Sequence, residues 1–328
     1  MSRGPEGCGR PALPFMTSRP IHETGDGAGA FIMPGSRPVL GVLCLVSSSW
    51  ALSGLDASGK WLMAAGVTVI TLCWVRYIGH ILLVLALVLP WRGRDALRSV
   101  RPRAQLTRGV IMLVATLSFF KTLSLLPQAE ATAINFLAPL IVLMLAPWLL
   151  NEPARVSRWL AGAAGFVGVL FIIRPGGGLD PEGVVWGLST AFLFACQYVA
   201  TRRVAVDNPL TTLIWSGAVG SIALTLAAPL FLPVMVPVFS EMTPLQWVVL
   251  LCTGVLGALG HLLQITAYRS APASLLAPYI YLQIVAAAVL GYLVAGHFPD
   301  PLSWVGIAII CSSGAGLAIW EWRRAPTN

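Results

Sequence analysis

Charge is scarce in this 328-residue chain: 10% of its residues are Asp, Glu, Lys or Arg, against 57% that are hydrophobic. The mean hydropathy is +0.80. A soluble domain does not have that balance, so a membrane protein is expected. Acidic residues are scarcer still, 13 against 21 basic ones, for a formal net charge of +8. The six cysteines (Cys8, Cys44, Cys73, Cys196, Cys252 and Cys311) are scattered and make no CxxC or Cys/His cluster, so neither a metal site nor a disulfide framework is indicated. No GxxxxGKS or GxxxxGKT phosphate loop appears, which speaks against nucleotide hydrolysis. An HExxH helix, a paired-aspartate site and a serine with a positioned base are missing too. No cofactor is expected.

What is present is a series of long apolar runs, near 38–57, 66–90, 107–125, 129–150, 158–174, 183–201, 210–232, 245–268, 272–296 and 302–321. Each approaches the ~20 residues a helix needs to cross the hydrocarbon core. They are continuous rather than alternating over ~10 residues, which favours helices over barrel strands. The fold class expected is an all-α integral membrane protein with ten transmembrane helices. With the N-terminus inside, interior connections carry seventeen of the twenty-one Lys and Arg residues, the densest run being Arg92 to Arg108. Lys60 and Arg174 fall outside, and Arg76 and Lys121 within spans. This is the positive-inside pattern, with both termini cytoplasmic. The basic loops are explained by topology and anionic headgroups, so no nucleic-acid partner is expected. Residues 1–37, rich in Gly, Pro and Arg, read as a disordered cytoplasmic tail, with Met16 and Met33 as alternative starts.

The chain also repeats. Pro127 and Pro272 lie 145 positions apart, and the same offset aligns Gly109 with Gly254, Val110 with Val255, Trp159 with Trp304 and Glu152 with His297. The two repeats expected are 38–175 and 182–322, of five helices each. Five is odd, so the second repeat enters the membrane inverted. That is an architecture with a substrate site near the midplane, reached by alternating access.

Several stretches carry a resemblance: Asp56 with Lys60 and Trp61; Trp74-Val75-Arg76-Tyr77; Leu126-Pro127-Gln128-Ala129-Glu130; Phe136-Leu137-Ala138-Pro139; Asn151-Glu152; and, in the second half, Ala271-Pro272-Ala273-Ser274 with Tyr281-Leu282-Gln283. In these the chain, from about 38 to 322, resembles the EamA-type members of the drug/metabolite transporter (DMT) superfamily, and within it a branch labelled as S-adenosylmethionine uptake carriers. The resemblance implies ten helices, two inverted EamA repeats and a central cavity lined mainly by spans 1, 3, 4, 6, 8 and 9. Relatives often carry Glu where this chain has His297.

Ionisable and polar groups inside spans are the candidates for function. Arg76 and His80 share a face of span 2, where a structural ion pair and a substrate contact are both open. Lys121 and Glu130 flank the turn at Pro127; they either pair with each other, or Glu130 faces the cavity to bind a cation or a proton. Pro139 frees the carbonyl of Asn135 four residues earlier, as in the broken helices of transporter sites. His261 and Gln264 share a face of span 8 and match Thr116 and Phe119 of span 3. Gln197 and Tyr198 in span 6 and Tyr281 in span 9 add donors and rings. Trp50 in span 1 is expected as a cavity wall, Ser47, Ser48 and Ser49 are mostly expected to bond their own helix backbone, and Asp56 is expected to pair with Lys60 at i+4. The function expected is a secondary carrier of a small metabolite: an amino acid, S-adenosylmethionine or a drug-like amphipathic solute. The alternative is an intramembrane lipid-modifying enzyme using Glu130 and His261. Proton coupling and a homodimer are left open, and the address expected is a bacterial inner membrane.

Overall fold

Prolines mark where helices begin. Pro38, Pro102, Pro181, Pro209 and Pro244 each stand in the first turn of a helix, where the missing N–H costs nothing and the fixed φ suits the helix. Side chains complete several of these starts. Asp180 accepts from the backbone N–H of Gly183 at 2.9 Å, Asn208 from that of Leu210 at 3.0 Å, and Thr243 forms a reciprocal capping box with Gln246.

A computed structural model describes residues 37–149, 156–174, 178–271, 273–276 and 279–324. The tail before Arg37 and the motif positions Asn151, Glu152, Pro175, Pro272, Ala277 and Pro278 lie outside the described residues. In chain order the helices are α1 (Pro38–Ala64), α2 (Val69–Arg92), α3 (Pro102–Leu125), α4 (Gln128–Asn135), α5 (Leu137–Leu149), α6 (Val156–Ile173), α7 (Pro181–Arg203), α8 (Pro209–Glu241), α9 (Pro244–Ser270), α10 (Ala273–Leu276), α11 (Leu282–Ala295) and α12 (Pro301–Arg324). Among the described residues, seven helices are long and apolar enough to cross a membrane, and three shorter apolar helical stretches occupy 128–142, 279–295 and 301–317. The protein is all-helical, with an apolar exterior that includes Leu226 and Leu230, each more than three-quarters exposed.

Two of the expected spans are broken. α4 stops at Asn135 and α5 resumes at Leu137, with the N–H of Phe136 reaching back to the carbonyls of Thr132 and Ala133. In the second half, a 3₁₀ turn at Tyr279–Tyr281 separates α10 from α11. The offset of 145 that aligns the halves places these breaks in register. α8 runs on to Glu241, past the expected end at 232, with Pro229, Pro233 and Pro237 inside it. Their four-residue spacing keeps all three on one face, so the lost backbone bonds fall on one side of the helix.

Packing between the halves has a symmetric pattern. α1 packs on α9 as α3 packs on α7; α2 meets α9 as α8 meets α3; α1 meets α11 as α5 meets α7; α2 pairs with α8 and α6 with α12. Bare backbone allows two of these approaches. A Cβ placed on Gly254 of α9 would lie 2.9 Å from the Cα of Gly79 on α2, and one on Gly168 of α6 would lie 2.8 Å from the carbonyl of Gly306 on α12. Small residues at such crossings let helices gain van der Waals contact where lipid offers no hydrophobic gain.

Candidate functional site

The Gly79–Gly254 crossing sets the centre of the molecule. His80 follows Gly79, and His261 lies two turns beyond Gly254, so the close approach brings the two imidazoles together edge to face with centroids 5.9 Å apart. They face a cavity of about 480 Å³, a size suited to a small metabolite. Its wall takes Leu52, Leu55 and Asp56 from α1, Arg76, Tyr77 and His80 from α2, and Arg108, Met112, Thr116, Phe119 and Phe120 from α3. α4 contributes Thr132 and Asn135, α7 Phe194, Gln197, Tyr198 and Thr201, α9 His261, Gln264 and Ile265, and α11 Gln283. α8 closes the last side with Thr212, Leu213, Ser216 and Gly217. The wall continues through Val204, Ala205 and Asp207 to the end of the bundle that carries the basic loops, called the basic end below.

Charge inside the wall is uneven. Arg76 is 8% exposed, lies 5.4 Å from the Phe120 ring centroid and 5.5 Å from that of Tyr77, and its Nη1 has no hydrogen-bond partner among the described residues. Arg108 is tied down: its Nε donates to Thr201 Oγ1 at 2.8 Å and its Nη1 donates to Ser216 Oγ. Asp56 is buried and within Coulombic reach of Arg76, but among the described residues the two do not form an ion pair. Thr132 Oγ1 and Asn135 Oδ1, on two further wall residues, are buried and have no protein partner among the described residues. Tyr77 is satisfied, donating its hydroxyl to Thr116 Oγ1 at 3.1 Å.

At the basic end, Asp207 holds the α7–α8 turn to the segment entering α3. Its carboxylate accepts from Ser99 Oγ, from the Val100 N–H at 2.7 Å and from Gln105 Nε2 at 2.8 Å. Gln105 Nε2 also donates to Thr212 Oγ1 at 2.9 Å, and Arg101 Nη1 to the Arg203 carbonyl at 2.9 Å. Burial on its own would raise the Asp207 pKa, but the bonds from Ser99, Gln105 and Val100 and the charge of Arg101 outweigh it and hold the carboxyl below its ordinary value. At the opposite end, Asp300 is held low by the hydrogen bond from Arg174 and by the backbone N–H of Ser303.

The cavity brings together Phe119, Asn135, Gln197, Tyr198, His261 and Gln264, with Arg76 and His80. Other candidates lie elsewhere. Trp50 is 44% exposed on the outside of α1, because it sits roughly 200° around the helix from Leu52 on the cavity face. Glu130 is buried at the opposite end against Ser303, with His297 and Asp300 nearby, since the short α4 turns its first residues away from the cavity. Lys121 pairs with Glu182 at 3.1 Å instead of Glu130. Lys60 does not pair with Asp56; its Nζ donates to the carbonyls of Leu123 and Leu126 at 2.8 and 2.7 Å, where the end of α3 presents free acceptors. Tyr281 packs on Phe136, centroids 5.2 Å apart, outside the wall. Pro139 stands on α5 beyond the break and is not a wall residue. Ser48 crosses to the Gly260 carbonyl at 2.8 Å, and Ser49 bonds its own helix at Leu45.

Sequence reasoning missed Arg108, Thr132 and the inward turn of Asp56, and it missed that α2 and α8 form walls. Arg108 counted only as a loop charge, yet it is one helical turn from Met112 and two from Thr116, on one face of α3. That spacing was the available signal.

Comparisons with known proteins agree with this architecture. The EamA-like transporter family model matches residues 39–174 and again 181–318. The S-adenosylmethionine uptake transporter of Rickettsia bellii (strain RML369-C) is 28% identical over 219 residues, covering 66% of this chain and 73% of that protein. The riboflavin transporter of Rhizobium johnstonii (strain DSM 114642 / LMG 32736 / 3841) is 26% identical over 296 residues, covering 88% and 94%. A solved structure described only as a crystal structure of a protein superposes with a TM-score of 0.58 over 88% of this chain and 98% of its own, at 21% identity, which speaks to fold alone. With both halves matched by one family model, the chain belongs to the EamA-like transporter family of the DMT superfamily and is a multi-pass membrane transporter of small metabolites rather than an enzyme.

Proposed function

We propose that this protein is a secondary carrier whose substrate site is the central cavity, worked by alternating access between two inverted repeats, 38–175 and 182–322. The observation that carries this reading is a single cavity of about 480 Å³ walled from both halves by polar and charged residues, Arg76, Arg108, Asn135, Gln197, His261 and Gln264 among them. A merely structural cavity would be lined by apolar side chains. The repeat is supported by the exchange-symmetric helix pairing and by the two helix breaks in register. Ten spans result when α4 with α5, and α10 with α11, each count as one broken crossing.

The basic end then faces the cytoplasm, on the charge asymmetry of the loops, and a bacterial inner membrane is the setting. In that orientation the cavity reaches inward, and the contacts of Lys121 with Glu182 and of Arg174 with Asp300 close the outer end. The substrate is an amino acid, S-adenosylmethionine or an amphipathic solute of similar size.

Counterflow into proteoliposomes tests the carrier. Vesicles preloaded with S-adenosylmethionine, riboflavin or aromatic amino acids should accumulate one labelled solute, and silence across the panel from folded protein would count against transport. For topology, a cysteine at Asp95 should label from the cytoplasm and one at Asp180 from outside; the reverse would overturn the orientation.

A further inference from the structure

We propose that the cavity selects solutes that carry one carboxylate, docked on the guanidinium of Arg76 with Arg108 as the second cation. This rests on the reading of the cavity as the transport site. It follows from the charge balance of the inner wall. Arg76 and Arg108 remain charged at any physiological pH, and Asp56 is the carboxylate facing them. Asp207 also borders the cavity, but both of its oxygens are engaged at the basic end by Ser99, Val100 and Gln105. His80 and His261 add either no charge or a further positive one. Two guanidinium groups outnumber the one carboxylate, which leaves net positive charge on the inner wall for a carboxylate to meet.

Geometry points the same way. Among the described residues Arg76 makes no ion pair, is more than nine-tenths buried, and has an Nη1 without a protein partner. The Phe120 and Tyr77 rings lie against it, with centroids 5.4 and 5.5 Å from its Cζ. A guanidinium fixed in this way presents the planar fork that a carboxylate fills with two parallel bonds. Phe119 meets Phe194 edge to face at 6.4 Å, giving the body of such a solute an aromatic wall. A cationic solute would meet two fixed positive charges in a site of low dielectric, and a neutral one would leave the Arg76 charge without a counter-charge.

The test is thermal unfolding of the full chain in detergent with three probes on one skeleton: 3-phenylpropionate, 3-phenylpropionamide and 3-phenylpropylamine, each at about 10 mM, since a ligand that binds only the folded state raises the midpoint. The carboxylate should raise the midpoint, while the amide and the amine should not. Arg76→Met should unfold at or above the wild-type midpoint without probe and lose the carboxylate shift. Arg76→Lys should bind the carboxylate at least about tenfold more weakly, which is about 1.4 kcal/mol. Asp56→Asn, which removes the opposing charge, should enlarge the shift, and this arm stands even if neither Arg76 variant folds. An equal shift from the amide, no shift from the carboxylate, or a shift retained in Arg76→Met would overturn the proposal. Counterflow separates the two readings. Carriage without carboxylate preference leaves the carrier and removes the anion site; carboxylate preference without carriage of any solute does the opposite.

Discussion

Replacing Asp207 by Asn should unfasten the basic end of the bundle. The carboxylate accepts three hydrogen bonds, from Ser99, Val100 and Gln105, and through Gln105 it reaches Thr212. Those partners belong to the segment before α3, to α3 itself and to α8, so one side chain ties the first half to the second. An amide keeps one acceptor oxygen and turns an NH₂ toward donors that need an acceptor. A hydrogen bond to a charged group is worth ~1.5–3 kcal/mol; at the rim of the cavity solvent replaces part of that, and a net loss of about 2–3 kcal/mol is expected. At ~2–4 °C per kcal/mol for a chain of this size class, the unfolding midpoint should fall by about 5–10 °C. Thermal unfolding in detergent, followed by tryptophan emission, reads it directly. The pH dependence has a definite sign. The folded carboxyl is held below its ordinary value, so the unfolded state binds the proton first as pH falls. The stabilisation is therefore complete above about pH 4 and is lost as pH drops through the depressed folded value. The gap between wild type and Asp207→Asn should stay constant from neutral pH to about 5 and close below about 4. A midpoint within about 1 °C of wild type, or a gap that widens on acidification, would refute the reasoning.

Gly254→Val should separate α2 from α9, because the new Cβ meets the Gly79 Cα at 2.9 Å and the His80 nitrogen at 3.0 Å, both backbone. Overpacking of this kind costs ~1–3 kcal/mol or more, and the variant should unfold several degrees lower and lose solute binding in the same preparation. In a counterflow assay Trp50→Ala and Glu130→Gln should carry solute within about twofold of wild type, whereas Tyr198→Ala should lose at least about tenfold, a difference of more than 1 kcal/mol. Loss of transport in Trp50→Ala would put that ring on the solute path, against its place on the outer face of α1.

Much of this protein was legible in one dimension. Lipid forces each crossing segment to satisfy its own backbone, so the length of the apolar runs announced helices. The break in span 4 was readable from Pro139 and Asn135, because proline chemistry is local. The matching break before α11 was not read. Phe119, Gln197, Tyr198, His261 and Gln264 were legible as wall residues because polar and aromatic groups deep in an apolar run rarely face lipid.

The sequence by itself determined the class and the helical character, since these follow from hydropathy and from residues near one another along the chain. Tertiary structure alone decided which charges meet. Lys121 chose Glu182 over Glu130, Lys60 chose two carbonyls over Asp56, and Arg108 turned from a loop charge into a wall of the cavity. A long side chain at a helix end reaches several partners, and the angle at which two helices cross selects among them. That angle is set by contacts such as Gly79 on Gly254, between residues far apart in sequence, and no local pattern contains it.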